Sequence, residues 1–157
     1  MDHNEITLGL AFAADAGAIA RLSRDLIEDG LPWSWRSPRV LAAVQNPKAN
    51  VVVARAGAQI AGFGIMRYRD DDAHLDLLGV TPAWRRVGLG RQLVEWLEKP
   101  ALLGGITAVF LEVRAANREA QSFYARLGYR PCAELPGYYQ GRESAVRMRR
   151  ELGATAA

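Results

Sequence analysis

At 157 residues the chain is long enough to bury a core and short enough to be one domain. Half of it is hydrophobic and 24% is charged, and a formal charge of +3 admits an anionic ligand while falling short of a nucleic-acid-binding signature. One cysteine (Cys132) excludes an internal disulfide framework and two histidines offer no metal-ligand spacing. The N-terminus lacks the pattern of a signal peptide, and no apolar run reaches the roughly 20 residues of a bilayer span. These readings give a cytoplasmic protein with no metal, no membrane and no nucleic-acid partner.

In chain order, "ITLGL" (Ile6 to Leu10) predicts a first strand. Ile19, Leu22, Leu26 and Ile27 fall at helical spacing, with Asp15 as candidate N-cap and Gly30 as the stop. "LPWSWRSP" reads as a loop, followed by a short helix from Pro38 to about Gln45. Three strands come next: Val51 to Arg55, Ile60 to Arg69, and His74 to Val80 after an aspartate-rich turn. A glycine-bearing turn then leads into a helix carrying Leu89, Leu93 and Leu97. "ITAVFLEV" is a buried-type strand, and Asn117 caps a helix with Ala120, Phe123, Tyr124 and Leu127 on its apolar face and Gly128 as its stop. Strands around Tyr129 to Leu135 and Ser144 to Arg150 close the pattern, and residues 152–157 read as a frayed tail. Strands following strands, then alternating with helices, indicate an α/β fold on a single mixed sheet, antiparallel and then parallel.

The turn "TPAWRRVGLGRQLVEWL" is the first chemical signal. The first N–H groups of a helix lack partners, and the helix dipole favours an anion there. Gly88 and Gly90 allow those groups to close around a phosphate, with Arg85, Arg86 and Arg91 adding charge; the alternative is that they are packing glycines. A Walker loop is excluded for want of a Lys-Ser/Thr pair, and a dinucleotide fingerprint for want of a third glycine.

With "GVTPAWRRVGLGRQLVEWL", "LEVRAANREAQSFYARLGY" and "GYYQGRESAVRM" in that order, the chain resembles the GNAT N-acetyltransferase superfamily from about Leu75 to Met148. Within it the likeness is nearest to the RimI-type ribosomal-protein-alanine N-acetyltransferases. Arg85, Gly88 and Gly90 occupy the superfamily's Arg/Gln-x-x-Gly-x-Gly/Ala pattern. The first seventy residues match only loosely, chiefly through "LPWSW". The resemblance implies a single GNAT domain over residues 1–157, on a twisted sheet flanked by helices, using acetyl-CoA as cosubstrate. It implies that the backbone of Leu78, Gly79 and Val80 holds the thioester and pantetheine arm. Arg85, Arg86, Val87, Gly88, Leu89, Gly90 and Arg91 would hold the pyrophosphate, and Asn117 would reach the pantetheine. Glu112 would be the general base and Tyr124 the general acid.

Acetyl transfer to an amine requires a neutral amine, a donor for the oxyanion and a proton for the departing thiolate. Glu112 interrupts an apolar strand, where burial would raise its pKa and make it a better base; otherwise it pairs with Arg114 or faces solvent. Asp76 competes for the role, directly or through a water, because some diamine-acetylating members carry a carboxylate there. His74 would titrate nearer neutrality. Tyr124 lies two helical turns beyond Asn117, so both project from nearly one face, although Tyr124 also fits a core stripe with Phe123 and Leu127. Trp33 and Trp35 either wall the acceptor site or anchor their loop, Tyr138 and Tyr139 pose the same choice, and Cys132 reads as a small buried hydrophobe. The acceptor is expected to be a protein N-terminal amine. A small amine (polyamine, amino acid or aminoglycoside) is the alternative, and a non-catalytic acyl-CoA-binding module the third reading. An edge strand would allow a homodimer.

Overall fold

The computed structural model describes residues 5–153. Seven strands form one sheet in the order β1-β2-β3-β4-β5-β7-β6: β1 (Ile6–Leu10), β2 (Ala49–Ala56), β3 (Gln59–Tyr68), β4 (Asp72–Val80), β5 (Ala108–Arg114), β6 (Arg130–Tyr139) and β7 (Glu143–Glu151). Four helices accompany them: α1 (Ala16–Leu26), α2 (Ser37–Gln45), α3 (Leu89–Leu103) and α4 (Arg118–Arg126). β2 is antiparallel to both β1 and β3, and β4 runs parallel to β5 over Asp72–His74 and Ala108–Phe110. The sheet is mixed, as expected. β7, however, lies between β5 and β6 and is antiparallel to both. Among the described residues no helix is long and apolar enough to cross a membrane. The expected frayed tail falls outside the described residues from 154 onward, while Leu152 donates its N–H to the Thr107 carbonyl.

The chain divides into two compact units, one holding the chain up to Arg67 with Asp76–Lys99, the other Tyr68–Leu75 and the chain from Pro100. In the first, strand alternation sorts the core. Val51 and Val53 of β2, Phe63 and Ile65 of β3 and Leu77 of β4 pack with Ile19 and Ala20 of α1 and Val40 of α2. On the opposite face α3 comes down through Leu89, Leu93 and Leu97, all buried. It approaches so closely that a methyl group at Gly62 would lie 2.9 Å from Leu93 Cδ1 and 3.1 Å from the Gly79 carbonyl oxygen. β3 is therefore buried on both faces, which explains its continuous apolar run.

The α1–α2 loop is organised by a carboxylate that composition alone did not single out. Glu28 is buried and accepts from the Ser34 N–H (2.7 Å), the Ser34 hydroxyl (2.6 Å), the Trp35 N–H (3.2 Å) and the Ser23 hydroxyl (2.9 Å). Trp33 Nε1 donates to the carbonyls of Ala20 and Trp35, and both indoles pack against the core, with arginines over their rings. The tryptophans thus anchor the loop. Asp15 precedes α1 as expected but caps nothing there. Its carboxylate accepts from the Phe12 N–H and pairs with Arg55, because an ion pair to β2 outcompetes a local cap.

The second unit wraps α4 and strands β5, β7 and β6 around Tyr124, Tyr129, Leu111, Val113 and Met148, all buried. Tyr124 meets Phe123 and Tyr129 edge to face, with ring centroids 5.0 and 5.7 Å apart. Asn117 caps α4 as expected, Oδ1 accepting from the Ala120 N–H at 3.0 Å. Cys132, expected inside, is exposed on β6, since the sheet ends at that strand and leaves it uncovered.

Candidate active site

The two groups of site residues fall in different units. In the first, β4 ends at Leu78, Gly79 and Val80, and a single helical turn (Pro82–Trp84) carries the chain to Arg85. Arg85 Nε donates to the Val80 carbonyl at 3.0 Å, tying the turn to the strand end. Arg86 and Gly88 then both take left-handed conformations, at φ 65° and 83°. In an ordinary residue that conformation costs about 1–2 kcal/mol, and such residues gather at ligand-binding turns. Gly88 is not there to relieve crowding: a Cβ built on it would meet nothing within 4 Å. Its backbone conformation is what calls for glycine, and the space beside it is open, against the packing alternative. α3 begins immediately after, and its first 5→1 bond is Gln92 N–H to the Gly88 carbonyl. The N–H groups of Leu89, Gly90 and Arg91 therefore form the first turn, the part of a helix that intrahelical bonding leaves for an anion. Residues 85–88 are exposed, and Arg91 pairs loosely with Glu95 at 3.3 Å.

Asp76 lies on β4 with its side chain 7% exposed, and Arg67 of β3 binds both carboxylate oxygens, at 2.6 and 2.8 Å. A carboxylate held by a two-pronged guanidinium is a poor proton acceptor, because accepting the proton would break the pair.

In the second unit Glu112 sits at the centre of a polar cluster. Strand alternation puts it on the face of β5 opposite Leu111 and Val113, and the β5–β7 register sets Arg147 across from it. Oε1 is 2.7 Å from His74 Nε2 and accepts from the Tyr138 hydroxyl at 3.1 Å; Oε2 accepts from Arg147 Nε at 2.9 Å. Burial pushes the Glu112 carboxyl up, as anticipated. The hydrogen bonds from His74, Arg147 and Tyr138 outweigh it, so the net displacement is downward. The expectation of a raised pKa is corrected on this point, and so is its pairing: Arg114 turns instead to Glu143 at 3.2 Å. The ionised carboxylate contributes stability above its ordinary value of 4.5, and that contribution is lost as pH falls through the lower folded value. Glu112→Gln should accordingly flatten the fall of melting temperature as pH drops below 4.5, measured by calorimetry against the parent protein.

Tyr124 is buried, and burial first, then the charge on Tyr139, push its phenol far above the ordinary range. It stays protonated at any physiological pH. Tyr139 is likewise pushed up to about 12, by burial and then by the charges of Tyr138 and Glu112. Arg147 and the contacts of His74 and Tyr138 with Glu112 went unread in the sequence. Only the register of β7 on β5 could have revealed the first.

Residues 20–129 match the Acetyltransferase (GNAT) family. The chain is 32% identical over 120 residues to a ribosomal-protein-alanine N-acetyltransferase of Escherichia coli, covering 74% of this chain and 79% of that one. It is also 32% identical over 158 residues to N-alpha-acetyltransferase RimI of Mycobacterium tuberculosis, covering 97% and 96%. The crystal structure of the ribosomal-protein-alanine N-acetyltransferase of E. coli superposes with a TM-score of 0.81 at 27% identity, over 97% of both chains.

Proposed function

The chain belongs to the acetyltransferase (GNAT) family and is an N-acetyltransferase; on that premise we propose that it moves an acetyl group from acetyl-CoA to the α-amine of a protein N-terminus. The observation that carries the cosubstrate is the turn from Arg86 to Arg91, with two left-handed residues, open space at Gly88 and a fresh helix start. The diphosphate of coenzyme A would rest on the amides there, with Arg85, Arg86 and Arg91 as counter-charge and Val87 and Leu89 supplying backbone only. The pantetheine arm would lie along Leu78, Gly79 and Val80, and the Asn117 Nδ2 group, which its cap does not use, would reach it. The N-terminal acceptor is supported by the relatives, both named for that chemistry. An α-amine, with a pKa near 8, also asks less of a base than a lysine side chain near 10.

Direct attack in a ternary complex needs three services. Glu112 is the carboxylate on which removal of the amine proton depends. Tyr124 donates a hydrogen bond to the sulfur as the C–S bond breaks; its raised pKa keeps the proton in place but works against complete transfer, so the thiolate is stabilised more than it is protonated. Asp76 is the second candidate carboxylate and the basis of the small-amine reading, and its engagement by Arg67 weighs against both. Residues 1–157 are read as one acetyltransferase domain, working in the cytoplasm where acetyl-CoA and nascent N-termini coexist.

The test is a turnover assay with acetyl-CoA over panels of peptides and small amines, following thiol release. Release with alanine- or serine-starting peptides and not with polyamines or aminoglycosides is expected. The reverse selectivity overturns the acceptor assignment, and tight cofactor binding without any transfer overturns catalysis.

A further inference from the structure

One buried carboxylate has no part in the acetyl transfer itself. Glu28 is 7% exposed, and its two oxygens are taken up by α1 and the loop that follows it. Resting on the acetyltransferase reading above, we propose that Glu28 is a positioning residue for the acceptor. It holds the α1–α2 loop in one conformation beside the thioester end of β4, so that the acceptor peptide meets a surface already ordered.

The carboxylate joins both ends of the loop. α1 ends at Leu26, and the Ser23 carbonyl accepts from the Ile27 and Glu28 N–H groups at 2.9 and 2.8 Å. The Ser23 hydroxyl donates to Glu28 Oε2 at 2.9 Å, so main chain and side chain of Ser23 both fix Glu28 to the helix. From the returning end of the loop, Oε1 accepts from the N–H and the hydroxyl of Ser34, and the Trp35 N–H lies 3.2 Å from both oxygens. Between the two ends, the Leu31 N–H closes a turn on the Glu28 carbonyl at 2.8 Å. Among the described residues no basic side chain pairs with Glu28. A buried carboxylate is tolerated where hydrogen bonds satisfy it, and here every donor belongs to α1 or to the loop.

The loop begins where the thioester is proposed to lie. Ile27 follows α1 directly, and a Cβ built on Gly79 of β4 would lie 3.6 Å from Ile27 Cδ1. Gly79 is the middle one of the three residues along which the pantetheine arm would run. The same Cβ would lie 2.7 Å from the Phe63 ring, and Phe63 belongs to the core against which Ile27, Trp33 and Trp35 pack. The segment that Glu28 fixes is thus continuous, through these contacts, with the end of β4.

A surface that is ordered before its ligand arrives spares binding the entropy of ordering it. Releasing the loop moves that cost into the step that takes up the peptide. KM then rises, while kcat, measured with the loop closed on the acceptor, is conserved. The turn at the head of α3 shares no residue with the loop, so affinity for acetyl-CoA is conserved as well.

The experiment uses the full chain, acetyl-CoA and an alanine-starting peptide. Glu28→Ala removes the partner of all four donors. Its KM for the peptide should rise at least tenfold, with kcat and the acetyl-CoA Kd within twofold of the parent. Glu28→Gln keeps an oxygen for Ser34 and Trp35 and gains an N–H that can donate to Ser23 Oγ, so its KM should stay within threefold. A residue serving stability alone would lower the melting temperature of Glu28→Ala and leave the KM of the folded protein where it was. That result overturns the proposal, as does an equal loss of acetyl-CoA affinity. If Glu28→Ala does not fold, hydrogen exchange on the parent decides the matter. Ser34 and Trp35 amides protected before peptide is added, and little changed by it, are expected; protection that arises only with peptide refutes the proposal. These outcomes leave the acetyltransferase reading standing, whereas a parent that acetylates no amine overturns both.

Discussion

Gly88→Val should raise the Kd for acetyl-CoA at least tenfold while leaving the protein folded. Two observations set this expectation. Gly88 sits at φ 83°, a conformation that costs an ordinary residue about 1–2 kcal/mol and a β-branched one more. A Cβ built on it meets nothing within 4 Å, so the substitution begins in open space rather than in the core. The strain is relieved by moving the turn out of the left-handed region, which takes the amides away from where the diphosphate is proposed to rest, and the isopropyl group adds bulk at that place. A tenfold loss corresponds to about 1.4 kcal/mol, within reach of the conformational effect alone. Calorimetric titration with acetyl-CoA, alongside a melting curve, reads both quantities. An unaltered Kd would mean that the diphosphate lies elsewhere.

Tyr124→Phe should lower kcat about 100-fold and leave acetyl-CoA affinity nearly as it was. Removing one oxygen preserves the ring contacts with Phe123 and Tyr129, so packing is conserved. What disappears is the proposed donor for the sulfur. General acid groups are worth about 10²–10⁴ in rate, and the lower end suits a phenol that hydrogen-bonds a thiolate without fully surrendering its proton. A 100-fold loss is about 2.7 kcal/mol of transition-state stabilisation. Single-turnover measurement at saturating acetyl-CoA isolates it from binding. If the rate is unchanged, Tyr124 belongs to the core alone.

Much of the architecture was legible because local periodicity carries it. The first strand, the short helix ending at Gln45 and the Asn117 cap lie where the residues put them, since strand alternation, helical spacing and caps are decided within a few residues. The aspartate run was less clear: Asp72 reads as turn yet begins β4 and pairs with Arg69, which balances its charge at the strand end. Asp15 shows the opposite failure. Its position before α1 was right and its role was not, because the distant Arg55 outbids a backbone amide.

By itself, the sequence determined the order of elements, the glycine turn at the head of α3, and a glutamate on a strand between apolar neighbours. All three depend on residues adjacent in the chain. Tertiary structure alone decided that β7 inserts between β5 and β6, that Arg67 occupies Asp76, and that Glu112 gathers His74, Tyr138 and Arg147 from 38, 26 and 35 residues away. Protonation depends on such long-range partners. Burial was readable from the apolar run around Glu112, but the hydrogen bonds that reverse its effect on the carboxyl exist only once four strands are in register.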